Sequence, residues 1–481
     1  MTATPTSAEA RVAPIPLLRG LGRAASSAWR GEEVDGTRGG LRRAVLLMAL
    51  PAVIETSMQS LMALVDVFWI TRLGDDAVAA AGMTESLYAP VYAVGVGLSI
   101  ATATAVGRRV GARRTAEASR AAQQALLLAV TLGAVLGVVG WYQGPILLEV
   151  LGATRAVQAT GASYASWLLA GCGLVLAVFV LNAAVRGAGD PVRASKGLVL
   201  ANVVNLVLAP VLVYGLGPIP ALGLLGAAVA SIAGRGAAAA YLLEHLLRGR
   251  GVLRWSSQPS EPGTNAWREL VVIGGASSLQ MLITMGSWII IVRIVASFGS
   301  AATAGYTVAT RLLTFALFPC WGLASAATSL VAQNLGANRR LRAKASAALA
   351  TRYCVVYLLA TGLPLALLSE VLLRPFLPDG ASRESATWGL RILGAGLFSY
   401  GYGCVMVQGF NAARDPWVAT WIQFLAFWVI ELPIAFALAH FTPLRERGAF
   451  VAIVAGFAAL TLLTARATRT RPWRAAGENN G

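Results

Sequence analysis

The sequence predicts an all-α polytopic membrane protein with twelve transmembrane helices in two parallel six-helix repeats, an N-lobe and a C-lobe, around a central cavity. Three observations support this prediction. Of the 481 residues, 57% are hydrophobic and only 13% are charged, whereas soluble proteins carry roughly 25% charged residues. The apolar residues form runs of about 20 residues or more, which is the length that crosses a bilayer. The second half of the chain also repeats the pattern of the first.

The internal repeat appears at a constant offset of 225 residues, as from Gly74 to Gly299. Further matches at this offset are Gly97-Leu98 with Gly322-Leu323, Val106 with Val331, Gly111-Ala112 with Gly336-Ala337, Arg114 with Arg339, and Asp190-Pro191 with Asp415-Pro416. The matches run through loops and helices without a gap, which indicates two homologous halves. Because each half has an even number of helices, the halves are expected to be parallel, related by an axis along the membrane normal.

Each apolar run is predicted to form one transmembrane helix. The runs lie at about residues 43–71, 78–107, 119–141, 161–186, 193–214, 222–246, 268–297, 302–333, 344–369, 386–411, 416–441 and 448–468. The N-terminal residues are rich in Ala, Pro, Gly and Arg, a composition typical of a disordered tail. The predicted domains are a basic cytoplasmic tail at 1–42, the N-lobe at 43–248, a polar cytoplasmic linker at 249–267, the C-lobe at 268–468 and a cytoplasmic C-terminal tail at 469–481. The linker is expected to have no fixed structure.

Arginine and lysine mark one side of the membrane. They concentrate in both termini and in the even-numbered loops. The odd-numbered loops hold only Arg72, Arg155, Arg374, Arg383, Arg445 and Arg447. Cytoplasmic loops carry an excess of Lys and Arg, so both termini are expected in the cytoplasm. The formal net charge of +17 therefore reflects membrane orientation, and no nucleic-acid partner is expected.

The sequence shows no signature of an enzyme or a metal site. It has no phosphate loop, no paired zinc-ligand motif and no nucleophile elbow, and its two histidines exclude a His-rich metal site. No cofactor is expected. The cysteines, which lie in apolar runs, show neither a metal-site nor a disulfide spacing and are interpreted as small lipid- or core-facing residues. They are Cys172, Cys320, Cys354 and Cys404.

The first helix carries two carboxylates, Glu55 and Asp66. Eleven residues make about three turns, so both project from nearly the same face, roughly 16 Å apart. A charge in lipid costs several kcal/mol, which makes intramembrane acids functional candidates. One interpretation is a protonatable pair facing the cavity. The alternative is that each acid bonds a neighbouring helix or reaches the outer surface. Pro51, at the start of the same helix, is predicted to seed a bend.

Other polar residues within the predicted helices are weaker candidates. Glu431 is the only carboxylate deep in the second half, and Pro433 beside it frees a backbone carbonyl. Glu431 is interpreted as a cavity residue, with a structural hydrogen bond as the alternative. Asn202 and Asn205 share one face of the fifth helix, where they could join a proton network or hold two helices together. Additional candidates are the amides Asn182, Gln280, Gln408, Asn411 and Gln423 and the cations Arg235, Arg293 and Arg311.

The chain resembles the multidrug and toxic compound extrusion (MATE) family. The matching residues are Pro51, Leu64-Val-Asp66, Arg72-Leu-Gly74, Ala79-Ala-Ala81, Val106-Gly-Arg-Arg-Val-Gly-Ala112, Arg186-Gly-Ala-Gly-Asp190, Arg311, Pro319 and Val331-Ala-Gln-Asn-Leu-Gly-Ala337. The resemblance implies two six-helix lobes, a V-shaped cavity and export of organic cations in exchange for protons or sodium. It also implies that Asp66 is the first-helix aspartate that many members use for cation coupling, with Asn205 near it.

Two departures from the family pattern favour protons over sodium. Many members have an aspartate in the fifth helix where this chain has Ala209. Helices seven and eight are also expected to carry no Asp or Glu, whereas sodium-coupled members place theirs there. Asp66, together with Glu55, is therefore the expected proton carrier, with Asn202 and Asn205 as its neighbours.

The expected function is that of a secondary active multidrug efflux antiporter, a monomer in the bacterial plasma (inner) membrane. Its partners would be xenobiotics or metabolites and the lipid bilayer. The alternative is a flippase for a lipid-linked precursor of the same superfamily, which would use several cavity-facing arginines to bind pyrophosphate. The tentative cavity residues are Glu431, Gln280, Asn182, Gln408 and Arg311, and Arg235 and Arg293 keep the alternative open.

Overall fold

The computed structural model describes residues 34–218, 220–249, 251–255, 266–470 and Trp473. Within these residues the chain forms α-helices and one π-helical segment. They are α1 (Leu41–Thr71), α2 (Asp75–Gly111), α3 (Thr115–Val150), α4 (Arg155–Ala170), α5 (Cys172–Gly187), α6 (Pro191–Tyr214), α7 (Leu224–Leu247), α8 (Trp267–Ala296), α9 (Ser300–Gly336), α10 (Arg340–Leu367), α11 (Ser369–Leu373), α12 (Ala381–Gly396), α13 (Phe398–Ala412), α14 (Pro416–Phe424), the π segment (Leu425–Glu431), α15 (Leu432–Phe441) and α16 (Arg447–Thr470).

The helices cover all twelve predicted spans. Among the described residues, nine helices are long and apolar enough to cross a membrane, the stretch from α14 to α15 counting as one. The pair α4/α5, bent by 40°, and the pair α12/α13, bent by 56°, raise the number to eleven. Helix α1, which is 31 residues long, accounts for the twelfth predicted span. The all-helical fold in two repeats is confirmed.

The two repeats share local backbone geometry as well as sequence. Gly74 and Gly299 precede α2 and α9 with φ angles of 101° and 103°, a region that residues with a Cβ rarely adopt. Both helices have 37 residues. At the residue after each C-cap, Arg113 and Asn338 have φ angles of 63° and 61°. The chain thus turns in the same way at both ends of these two helices.

Helix α1 packs on both halves of the molecule. Near its start, Val45 and Met48 belong to a buried cluster formed mainly by residues of α8–α16, such as Leu317. Near its end, Ile70 instead packs with Ala80 of α2. We refer to α1–α7 as the N-lobe and to α8–α16 as the C-lobe. The second half of α1 therefore belongs to the N-lobe interior, whereas its first half bridges the lobes.

The two lobes contact each other closely where α2 and α9 end. A Cβ placed on Gly111 would overlap the backbone oxygen of Gln333, and one on Gly336 would overlap the backbone oxygen of Arg108. Glycine at both positions lets the two backbones touch. We call this end of the molecule the basic end. Arg109 of α2 also forms an ion pair of 2.9 Å across the lobes with Glu269. The expectation of a seventh helix without Asp or Glu is therefore wrong, because Glu269 lies in the first turn of α8.

The segment before α1 lies at the basic end and contacts both lobes. Val34 donates from its backbone N–H to the Gly189 carbonyl at 2.7 Å, and Gly36 donates to the Gln333 side chain at 3.0 Å. Asn334 donates to the Gly36 carbonyl at 3.1 Å. The prediction of a disordered tail is therefore wrong for residues 34–42, because side chains from distant helices satisfy this backbone. The rest of the predicted tail lies outside the described residues.

The described ends of the predicted linker are attached to α3. The backbone N–H of Arg254 donates to Ser119 at 3.0 Å, and that of Ala266 donates to Gln124 at 2.9 Å. Leu253 is buried. The expectation of a segment without fixed structure is wrong for these ends, since α3 binds them. Residues 256–265 lie outside the described part of the chain.

Two cysteines depart from the sequence-based interpretation. Cys320 of α9 and Cys354 of α10 form a disulfide, with their Cα atoms 5.6 Å apart. Their separation of 34 residues resembles no known spacing pattern, because the pairing depends on how the two helices are rotated against each other. Cys172 and Cys404 are free and buried, as interpreted from the sequence.

Candidate functional site

Asp66 and Asn205 meet inside the N-lobe, as the family resemblance implies. The Asn205 side chain donates a hydrogen bond of 2.8 Å from Nδ2 to Oδ1 of Asp66. Asn205 is buried on α6, and Asp66 is half-buried on the second half of α1. Asn202, which precedes Asn205 by one turn, is half-buried and is not among the hydrogen-bond partners that the described residues give to Asp66. The structure therefore brings together one of the two predicted asparagines with the acid.

A cation and two aromatic hydroxyls surround this pair. The guanidinium of Arg235, on α7, lies 5.7 Å from the ring centroid of Tyr88. Arg235 and the exposed Glu85 are both within electrostatic reach of Asp66. Tyr164 of α4 lies within electrostatic reach of all three. Sequence reasoning did not place the two tyrosines here. Their positions on α2 and α4 carry no signal without knowledge of which helix faces meet.

Three buried polar atoms of this cluster have no hydrogen-bond partner among the described residues. They are Nη1 of Arg235, the hydroxyl of Tyr88 and Oδ1 of Asn205. Buried polar atoms in folded proteins are nearly always paired. A set of unpaired donors and acceptors around one carboxylate can therefore accept a proton, water or a polar group of a ligand.

Glu55 does not form a pair with Asp66. Its Oε2 accepts a hydrogen bond of 2.6 Å from Nη2 of Arg186, at the end of α5. Ser195 of α6 donates to the same oxygen at 3.3 Å. Both charged side chains are almost completely buried. The predicted protonatable pair is thus divided into two separate sites, and the charge of Glu55 is balanced by a fixed cation.

Asn182, predicted as a cavity residue, belongs to the Glu55 network. Its Oδ1 accepts a bond of 2.6 Å from Arg186, and its Nδ2 donates to the Ala194 carbonyl at 2.9 Å. Arg186 also donates to Ser325 of α9. Asn182 therefore holds α5 against α6 and orients the arginine, and the arginine in turn contacts the C-lobe.

The C-lobe carries a neutral version of the same network. Gln280, Asn411 and Thr420 follow Glu55, Arg186 and Ser195 by the repeat offset. Gln280 and Asn411 each donate to the other at 3.1 Å, and Gln280 also donates to Thr420 at 3.2 Å. Gln408 accepts from Asn411 at 3.2 Å. The predicted cavity amides of this lobe therefore bind one another. Arg311, in contrast, has an exposed side chain on α9.

The Asp66 site has no counterpart in the C-lobe. The repeat offset places Ile291 at the position of Asp66 and Ile430 at that of Asn205. Ile291 is fully buried. The carboxylate–amide pair is therefore a property of the N-lobe alone.

Glu431 is fully buried in the C-lobe and does not line an open cavity in this structure. Neither of its carboxyl oxygens has a hydrogen-bond partner among the described residues. It is the last residue of the π segment, and Pro433 follows at the start of α15. Helix α1 remains one α-helix through Pro51, so the bend proposed there stays a prediction.

Comparison with known proteins identifies the family of this chain. The MatE family model matches residues 51–211 and 276–437, which are the two repeats. A Probable multidrug resistance protein NorM from Deinococcus radiodurans is 30% identical over 90% of this chain and 97% of its own length. An FAD transporter from Shewanella oneidensis is 27% identical over 82% of this chain and 87% of its own length.

The fold also matches solved structures. One is described as the outward-facing conformation of a multidrug resistance MATE family transporter of the MOP superfamily. It superimposes with a TM-score of 0.86 at 24% identity and covers 92% of this chain and 98% of the other. The family model, which matches well over half of the chain in two copies, shows the family directly. This chain belongs to the MATE family of multi-pass membrane multidrug efflux transporters.

Proposed function

We propose that the protein is a secondary antiporter that exports organic cations, such as drugs or toxic metabolites, in exchange for protons. The observation that carries the proposal is the environment of Asp66. Among the described residues, this acid has one hydrogen bond, from an amide, and the nearby polar atoms named above lack partners, whereas Glu55 forms an ion pair with Arg186. An acid without a fixed ion pair can gain and lose a proton without leaving a buried cation uncompensated.

The groups around Asp66 support protons over sodium as the coupling ion. A sodium ion needs several oxygen ligands held together, whereas among the described residues Asp66 has one amide partner, Asn205, and a guanidinium, Arg235, within electrostatic reach. Ala209 supplies no second carboxylate on α6. A proton needs only one oxygen of Asp66, so it is the cation that this site accommodates best.

Exchange follows from competition at this one acid. Protonation neutralises Asp66 and removes its attraction for a cationic substrate. Proton and substrate then each favour release of the other, because a coupling free energy between two ligands acts in both directions. Asp66 is the group at which the two ligands compete.

The contact between the lobes at the basic end bears on which side of the membrane reaches the site in this conformation. The cation bias of the loops supports a cytoplasmic position for the basic end, where Gly111 and Gly336 bring the lobes into contact. The proposed state is therefore closed to the cytoplasm and faces outward. It is the state that receives a proton from outside and releases substrate.

The test uses vesicles with reconstituted protein and a fluorescent organic cation. A proton gradient should drive transport without sodium, and Asp66→Asn should abolish it, because the amide keeps the shape but cannot titrate. Glu149→Gln, at the exposed end of α3, is the control and should retain transport. Transport that follows a sodium gradient at fixed pH, or that survives in Asp66→Asn, would contradict the proposal.

A second candidate substrate class is anionic, such as a dinucleotide or a lipid-linked pyrophosphate. Three guanidinium groups favour it, because such groups bind phosphate oxygens well. Nη1 of Arg235 lacks a hydrogen-bond partner among the described residues, and the side chains of Arg293 and Arg311 are exposed. The FAD transporter among the relatives is consistent with this class. Uptake of labelled FAD by the same vesicles, together with loss of that uptake in Arg235→Gln, would establish the anionic class over the cationic one.

A further inference from the structure

Glu431 is an ionisable group that the proposed mechanism at Asp66 does not use. It lies on the eleventh span, at the end of a seven-residue π segment, and is completely buried. Both carboxyl oxygens lack hydrogen-bond partners among the described residues. On the side that faces α16, its carboxyl group occupies the space that a Cβ on Gly456 would need. The carboxyl group is thus enclosed by the lobe without being paired to it.

The helices packed against the π segment supply no cation near Glu431. They are α8, α14, α15 and α16. Helix α14 has no ionisable residue. The ionisable residues of the other three lie toward their ends and are Arg268, Glu269, Arg293, His440, Arg447, Arg466 and Arg469. From the neighbouring α9, Tyr306 is within electrostatic reach. No residue on these elements is therefore placed to balance a negative charge on Glu431.

An unbalanced charge at this position would be very unfavourable. Moving a carboxylate from water into a low-dielectric interior costs several kcal/mol even after relaxation, and a partner must offset that cost. Without a partner a buried group neutralises instead. The one ligand that removes the cost here is a proton on the carboxyl group itself.

The π segment gives this acid a way to change its surroundings. A π-helix has one more residue per turn than an α-helix and is found mostly at functional positions. Its conversion to α-helix would rotate the residues on one side by about 100° relative to those on the other. Pro433, which has no N–H, weakens the backbone ladder beside the segment. The corresponding helix of the N-lobe, α6, is α-helical throughout.

We propose that Glu431 is a second proton-binding site, in the C-lobe, which is protonated in this conformation and exchanges its proton when the π segment rearranges. Exchange of this proton during transport rests on the proposed proton coupling. Occupancy of the site by a proton does not.

Infrared spectroscopy of the purified protein tests occupancy without any transport. The carbonyl stretch of a protonated carboxylic acid is separate from the carboxylate bands. At neutral pH, the spectrum of the unmodified protein minus that of Glu431→Gln should contain the protonated-acid band. A difference spectrum with carboxylate bands instead would overturn the proposal. Where Glu431→Gln fails to fold, Glu431→Asp should shift the protonated-acid band, and a shift in the carboxylate bands alone would overturn it.

Transport in vesicles then tests whether this proton moves. If Glu431 carries one proton per cycle, Glu431→Gln should still transport, but the substrate gradient held by one pH unit should fall about tenfold, since each coupled proton contributes a factor of ten. An unchanged gradient would overturn the exchange of this proton. Failure of the proposed function looks different, because the unmodified protein would then ignore the pH gradient altogether.

Discussion

Two equivalent positions in the two lobes hold an ion pair in one lobe and an amide pair in the other. In the N-lobe, Glu55 binds Arg186 at 2.6 Å. In the C-lobe, Gln280 and Asn411 bind each other at 3.1 Å. Both pairs connect the first and fourth helices of their repeat, and Ser195 and Thr420 attach the fifth helix to them. Because neutral groups fill this position in the C-lobe, the polarity of the network is structural, and its charge is not required for the fold.

The opposite holds about three turns further along the first helix, at Asp66. Its repeat equivalent is the buried Ile291, so the fold does not need a polar group there. An acid where the other lobe is apolar carries an energetic cost in the membrane interior. The repeat architecture therefore explains the buried polar group at Glu55. It does not explain the acid at Asp66.

Among the variants that compare the two lobes, those that disturb the contact between the lobes at the basic end should have the largest effect. Gly111→Val and Gly336→Val should each reduce transport by more than tenfold, because the added side chain would overlap a backbone oxygen of the other lobe. Gly82→Ala is the control, since nothing lies near its Cβ position. The measurement is dye efflux at matched expression. Full activity in both valine variants would show that this contact is not part of the cycle.

Replacing the polar pair of the N-lobe with that of the C-lobe tests this comparison. Glu55→Gln alone leaves the buried charge of Arg186 without a counter-charge, which should cost about 3–5 kcal/mol. The double variant Glu55→Gln/Arg186→Asn installs the C-lobe pair and should recover most of that stability. Thermal unfolding in detergent measures both.

The double variant also tests the role of Glu55 in coupling. Proton-driven efflux should persist in it, because only Asp66 is proposed to compete with substrate. A double variant that is stable but inactive would return Glu55 to the coupling site and contradict the structural explanation.

The smallest effect is expected at the start of the fifth helix of each lobe. Asp190 caps α6 by accepting from the Arg193 backbone at 3.0 Å, and it also pairs with the Arg193 side chain. Asp415 makes no such side-chain cap on α14. Asp190→Ala should therefore cost about 1 kcal/mol, and Asp415→Ala should cost less. Equal shifts in the unfolding temperature of the two variants would show that the cap does not explain the difference.

The sequence by itself determined the helices, the repeat and the Asp66–Asn205 pair. Backbone groups in a bilayer must bond within their own segment, so a long apolar run has only the helix available to it. The offset of 225 residues, as from Gly74 to Gly299, fixes the two halves without any knowledge of contacts. The acid and the asparagine were recognisable because their motifs resemble those of a family.

Only the tertiary structure decided the partners of the other polar residues. The sequence shows Arg186 only as the first residue of the Arg186-Gly-Ala-Gly-Asp190 motif, yet it is buried against Glu55, 131 residues away in the sequence. Cys320 and Cys354 are paired although their spacing shows no pattern. The physical reason is the same in each case. A bond between two helices depends on how each is rotated and which neighbour it meets, and the order of residues along one helix does not contain that information.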